Sequence, residues 1–396
     1  MALEYNMFNN IPANENPESS LQKNRKMILI VSLIIVLGTG ALMIVSYYVN
    51  NRCYDSYQIE NEVNRSDSNN VSYSYYNGNI LKYSRSGINT IDNTGKSLQN
   101  GGFEMKQPQI DICGTYVIAA DVTGRQFYVY NGKDEGTRIE TTLPIVRAKV
   151  SSQGKAAVLL QDTDSNVLNV YNPYNSTNNL IVEIPTNVNE EGYPLDFDIS
   201  ADGSSVVVSY MVSDGKTVEN KVNFYNFTEV GQDRNTLVGG KSFGENMIGK
   251  IEFTGTNEVA VFHENGVTLF SNMKQPTETA ELTFEEPIQS MAYNDKYIAV
   301  VTGSADSDQK NLHLYDLRGK EKMVRSISYK YSDMQLYNEE IIFSSSHNCH
   351  ILRTNGHEKF NYEFEQEIDA IFPTTNSNIY TLVNKDTIQK ITLKRR

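Results

Sequence analysis

The stretch "FYVYNGK", Phe127–Lys133, is one of a series. "LNVYNP" ends at Pro173, "NFYNF" at Phe227, "TLFSN" at Asn272 and "HLYDLRGK" at Lys320. Each is a short apolar run that reaches an aromatic residue and then Asn or Asp. Alternating runs bounded by Gly, Asn, Asp and Ser read as strands joined by turns. Ahead of each comes a more apolar run: "YVIAAD", "AAVLLQD", "SVVVSYM", "EVAVFHE", "YIAVVTG", "EIIFSSS", "NIYTLVN". Polar turns such as "SSQGK" and "SADGSS" precede two of these, closing off an earlier strand. Weaker runs follow: "RIETT", "LIVEIPT", "AELTFEE", "MVRSISYK". The unit is therefore four strands long. The aromatic-bearing run is its third strand and the very apolar run its second.

Third strands centre on Ile91, Tyr130, Tyr171, Tyr225, Phe270, Tyr315, Arg353 and Ile391. A four-stranded unit recurring at about 40 to 45 residues is the period of β-propeller blades. One such sheet cannot bury both faces. Radial packing of blades buries the second strands and leaves only short outer edges. The expected fold is all-β: a β-propeller, eight blades favoured, seven if the first unit is degenerate. Ring closure then needs a partner for the last unit, which supplies three strands. "YDSYQIENEV", within residues 50–70, is the only part of that polar linker with strand character and is the candidate fourth strand. The propeller itself is expected over residues 71–396. On this reading the aromatic-Asn motif is blade punctuation, because Asn and Asp bond nearby backbone and tolerate left-handed conformations.

Residues 27–49 carry no charge, and a helix of that length crosses a hydrocarbon core of roughly 30 Å. Tyr47 and Tyr48 stand at its far edge, as interfacial aromatics do. It is longer than a signal-peptide core, no small-x-small cleavage site follows, and no lipobox precedes Cys53. An uncleaved signal anchor, one transmembrane helix, is expected. Lys23, Arg25 and Lys26 precede it and Arg52 alone follows. The positive-inside rule then keeps residues 1–26 cytosolic, as a tail too short for a folded domain and expected to be disordered, and puts the rest outside.

The net charge of −13 argues against nucleic acid, which needs clustered Lys and Arg. Cys53, Cys113 and Cys349 match no disulfide or zinc spacing, and Cys113 reads as a small buried hydrophobe.

The stretches "ILKYSRSGINTID", "DICGTYV", "IETTLPIVRAKVSSQG", "YPLDFDISADGSSVVVSY", "VNFYNFTEVGQ" with "LVGG", and "NEEIIFSSSHNCHI" span most of residues 79–352. On these the chain resembles a bacterial family known only as a domain of unknown function. Its members are single-pass membrane proteins of low-GC Gram-positive bacteria with a WD40/YVTN-like propeller. The resemblance implies architecture and location and no chemistry. Typical WD40 Gly-His and Trp-Asp punctuation is missing, as the chain has no Trp.

Chemical motifs are scarce. "HNCH", His347–His350, with His357, invites a metal reading, but it falls at a hairpin, where alternate residues point to opposite faces. "DTDSN" (Asp162, Asp164, Asn166) starts like a calcium loop, then lacks the Gly and Glu such a loop needs. "ADSDQK" (Asp306, Asp308) fails likewise and reads as an acidic turn. "LVGGKSFGENM" has neither phosphate-loop nor dinucleotide spacing, and no G-x-S-x-G elbow exists. The Trp used by quinone-dependent and sialidase-type propellers is unavailable. No catalytic, cofactor-binding or metal residue is assigned, and no cofactor is expected. Two readings remain. The first is a non-catalytic module binding an envelope or membrane protein or a cell-wall polymer, with the long inserts between Tyr171 and Met247 as contact region. The second is an extracellular polysaccharide lyase or hydrolase, marked by Asp, Glu, His or Arg converging on one channel mouth.

Overall fold

The computed structural model describes residues 17–65, 70–162, 165–175, 177–188, 191–213, 215–232 and 236–395. It divides into two compact units, Met1–Arg52 and Cys53–Arg396.

The first unit is a single helix, α1 (Pro17–Asn50). It starts about three turns before the apolar segment, inside the stretch expected to be disordered. Residues 1–16 of that tail lie outside the described residues. Met27–Val45 is long and apolar enough to cross a membrane, by length and composition. Its large apolar side chains are exposed, as those of a lipid-facing helix are.

The second unit is a ring of eight four-stranded antiparallel blades. The strand β1 (Ser56–Asn64) comes first. Blade 1 is β2 (Ser72–Tyr76), β3 (Asn79–Ser84), β4 (Gly87–Ile91) and β5 (Ser97–Gly102). Blade 2 is β6 (Pro108–Cys113), β7 (Tyr116–Asp121), β8 (Gln126–Tyr130) and β9 (Thr137–Glu140). Blade 3 is β10 (Ile145–Val150), β11 (Ala156–Gln161), β12 (Ser165–Tyr171) and β13 (Leu180–Asn187). Blade 4 is β14 (Tyr193–Ile199), β15 (Ser205–Ser213), β16 (Val218–Asn226) and β17 (Leu237–Gly244). Blade 5 is β18 (Ile248–Phe253), β19 (Glu258–His263), β20 (Gly266–Ser271) and β21 (Thr277–Thr283). Blade 6 is β22 (Ile288–Tyr293), β23 (Tyr297–Thr302), β24 (Lys310–Asp316) and β25 (Glu321–Ile327). Blade 7 is β26 (Asp333–Tyr337), β27 (Glu340–Ser344), β28 (Asn348–Arg353) and β29 (Glu358–Glu363). Blade 8 is β30 (Ile368–Pro373), β31 (Ile379–Asn384) and β32 (Thr387–Lys394), completed by β1.

The second strands are apolar on both faces because each lies between two neighbours. In β11, Ala156, Val158 and Leu160 pack towards blade 2, whereas Ala157 and Leu159 pack towards blade 4. Burying each larger side chain of this kind contributes about 1.5–3 kcal/mol. The third-strand aromatics join the inter-blade cores: Phe127 meets Tyr171 at 5.4 Å and Phe224 meets Phe270 at 5.0 Å between ring centroids. The motif also marks a bulge. Pairing with the fourth strand slips just before Tyr171, Tyr225, Phe270 and Tyr315. The polar residue that follows then holds the turn. The Oδ1 atoms of Asn131, Asn226 and Asp316 accept the N–H groups of Lys133, Thr228 and Arg318 at 2.8, 3.0 and 3.0 Å. Asn272 instead takes φ 62°.

The ring closes through β1, antiparallel to β32 from Ser56↔Lys394 to Asn64↔Thr387. Tyr54, just ahead of β1, also bridges to Phe360 of β29, its N–H donating to Lys359 O at 2.8 Å. The segment leading into the propeller is thus pinned to blades 7 and 8 together.

Candidate functional site

First strands of neighbouring blades touch one another (β6 with β10, β14 with β18, β22 with β26), so they form the inner wall. Each runs from the connector end, where one blade passes to the next, to the turn end, where first strand meets second. In blades 3, 4 and 5 the first strand carries a bulge immediately before Arg147, Asp196 and Lys250. A bulge re-aims the residues that follow it. Two positions further on stand Lys149, Asp198 and Glu252, and blade 2 places Asp111 at the matching pairing position.

These four side chains converge near the turn-end mouth. Lys149 Nζ lies 3.4 Å from Asp111, 3.6 Å from Asp198 and 3.2 Å from Glu252. Burial opposes the charge on Lys149, but Asp198, Asp111 and Glu252 outweigh it and hold the ammonium well above its ordinary range. Asp198 is buried. Its burial, and then the Glu252 carboxylate, push it well above the usual carboxylate range, with Lys149 opposing. Lys149 and Lys250 are two ammoniums among three carboxylates, and Asp198, the most deeply buried of the three, holds its proton above the usual range. Burial, and then Glu252, push the Tyr293 phenol up as well. One layer inwards Arg147 pairs with Asp196, and Lys250 lies 3.5 Å from Glu252.

The carboxylates also stitch blades together. Asp111 Oδ2 accepts Val150 N–H at 2.9 Å, Asp196 Oδ2 accepts Ile251 N–H at 3.1 Å and Asp198 Oδ2 accepts Phe253 N–H at 2.7 Å. An inner strand leaves one edge of its backbone without a sheet partner, and an acid from the preceding blade satisfies it. Three cations thus stand among four carboxylates, in a network that spans blades 2 to 5. Beside it a hollow of about 290 Å³ opens at the turn end, lined also by Cys113, Thr254 and Asp295.

Cys113, read from sequence as a buried hydrophobe, is half-buried on this hollow, because it is the last residue of β6. Burial, and then Asp111, push its thiol up to about 11. The "HNCH" residues do not converge. Cys349 is in the core between blades 7 and 8, and His350 turns to the other face, 4.1 Å above the Tyr329 ring. His347 is half-buried at the hairpin. Asp162, Asp306 and Asp308 occupy second-to-third-strand turns, and Asp164 lies outside the described residues. Among the described residues no three His, Cys, Asp or Glu side chains are placed to hold a metal ion. Sequence reading missed the Lys149 cluster. Its signal was the charged residue before each first turn, in "QIDIC", "RAKV", "LDFDIS" and "KIEF".

The fold and this wall of inner strands define an eight-bladed β-propeller that follows an apolar helix. The family is shown by sequence: residues 50–393 match the profile of DUF5711, a family of unknown function, and the chain belongs to it. No curated protein sequence matches it. Among solved structures it is similar to BamB from Moraxella catarrhalis, at 10% identity and TM-score 0.52, covering 85% of this chain and 100% of that one. It is also similar to the tricorn protease, at 11% identity and TM-score 0.50, covering 75% of this chain and 34% of that one. At such identities the likeness is one of fold.

Proposed function

We propose that this protein is a membrane-anchored, extracytoplasmic interaction module without catalytic activity, binding an envelope or membrane protein or a cell-wall polymer. One observation carries the reading. Among the described residues, of the ten exposed large apolar side chains outside the helix, six fall between Tyr171 and Met247: Tyr174, Ile181, Tyr193, Val218, Leu237 and Met247. That stretch is less than a quarter of the propeller, and the six divide between its two ends, Tyr174, Ile181 and Leu237 towards the turn end and Tyr193, Val218 and Met247 at the connector end. Clustered apolar exposure marks interaction surfaces. Tyr193, Val218 and Met247 all stand at the connector end of blade 4, around the long β15–β16 hairpin. The channel charges support the same reading, since ion pairs and inter-blade bonds already occupy them.

The test is cross-linking in the native membrane followed by identification of what co-purifies. A recurrent partner that disappears with Tyr193→Ser, Val218→Ser and Met247→Ser together supports the module and its face. A partner retained at full yield overturns that face. Exposed Cys53 reports orientation: a membrane-impermeant maleimide should label it in intact cells. The enzyme reading keeps one specific support, the convergence of Asp111, Asp198 and Glu252 on one mouth. It requires cell-wall glycan cleavage that Asp198→Asn abolishes.

A further inference from the structure

The seam between blades 7 and 8 holds a second hollow, at the connector end and well away from blade 4. Its volume is about 530 Å³. One wall is a triangle of rings: Tyr57 meets Tyr362 at 5.1 Å and Phe364 at 5.6 Å, and Tyr362 meets Phe364 at 5.0 Å. The rim carries Glu62, Glu365 and Asp386, all exposed, and neither Lys nor Arg lines the hollow. Among the described residues none forms an ion pair with these three acids. Gln389 Nε2 donates to Glu62 Oε2 at 3.2 Å.

The closing strand makes this site. Tyr57, Ile59 and Glu62 pair with Leu393, Ile391 and Gln389, which alternate along one face of β32. A regular strand would place Asn61 after Ile59 in that row. The bulge at Glu60 skips one residue and puts the Glu62 carboxylate there instead. Glu60 is turned to the other face, with Lys390.

We propose that this seam binds an organic cation on an alkyl stem, of the lysine-ammonium type. Aromatic faces attract ammonium groups and cover the stem, and carboxylates give charge-assisted hydrogen bonds to its three donors. A neutral sugar would use the rings as well and could donate hydroxyls to the carboxylates, but only a cation also neutralises three carboxylates that form no ion pair among the described residues. The site goes beyond the interaction reading and shares no residue with the blade 4 surface.

The probes are tri-lysine, 1,5-diaminopentane and a neutral trisaccharide, titrated calorimetrically into the full-length protein in uncharged detergent at low salt. Saturable one-to-one binding of tri-lysine is expected, weakened about tenfold or more by Glu62→Gln with Glu365→Gln. The protein's overall negative charge attracts cations diffusely, so Glu135→Gln with Glu140→Gln, exposed on blade 2, is the control and should leave affinity within about twofold. Equal weakening by the control overturns the proposal, as does binding of the trisaccharide without tri-lysine, or no binding at all. Diaminopentane binding as tightly as tri-lysine identifies a free amine as ligand; tri-lysine alone identifies a polypeptide side chain. Asp386→Asn, on an exposed hairpin, repeats the test should the double variant misfold.

Discussion

Lys149 is worth considering as a single residue because so much meets there. Removing one partner of a buried ion pair costs about 3–5 kcal/mol, since the other charges stay behind. Lys149→Met should lower the unfolding free energy from urea titration by that amount at pH 7.5, and recover part of the loss as the pH falls and Asp198, whose carboxyl is already raised, takes up a proton. Asp198→Asn should behave differently. The amide oxygen can still accept Phe253 N–H, and the crowding of negative charge is relieved, so stability should stay within about 1 kcal/mol of the wild type or rise. Equal losses in the two variants would refute this account of which group is in excess. Neither residue stood out in the sequence. A charged residue in a strand reads as solvent-facing, and only inter-blade register reveals that four of them share one space.

At the scale of elements, blades 5, 6 and 7 repeat a small device. His263, His313 and His350 pack against Phe243, Phe284 and Tyr329, at 5.3, 5.1 and 4.1 Å. Burial, the leading cause for each, depresses all three imidazoles. The native state therefore favours the neutral rings, while the unfolded chain protonates near pH 6.5. Their stabilisation is full above that pH and declines as pH falls below it, until the folded rings protonate too. Urea midpoints should drop between pH 7.5 and 5.5, and the triple His→Gln variant should flatten that part of the curve. An unchanged slope would show that the rings do not set it. Elements differed in how plainly the sequence announced them. Third strands were legible because Tyr171-Asn172 and its relatives couple a core aromatic to a turn residue. First strands were not, because "RAKV" and "KIEF" are short and mixed. The bulges left no local trace, since they arise from pairing.

The molecule as a whole depends on β1. Deleting residues 53–65 would strip the outer strand from β32 and the Tyr54 bridge from blade 7, exposing an apolar sheet edge. Loss of the cooperative thermal transition and self-association in sedimentation are expected; an unaltered monomeric melt would show that three strands suffice. The period of the repeats and the candidate closing strand made the ring readable at this scale. The seam hollow was not, because it depends on a one-residue slip between segments at opposite ends of the propeller. The same closure sets a timetable. Glu62 and Gln389, which touch across the β1–β32 pairing, are 327 residues apart in the chain. A ribosome adding about 5–20 residues per second takes some tens of seconds to bridge that gap. Throughout, β1 has left the ribosome and its partner does not yet exist. Final closure therefore waits until β32 has left the ribosome, and a ribosome that stalls before Thr387 releases a chain whose clasp has nothing to fasten to.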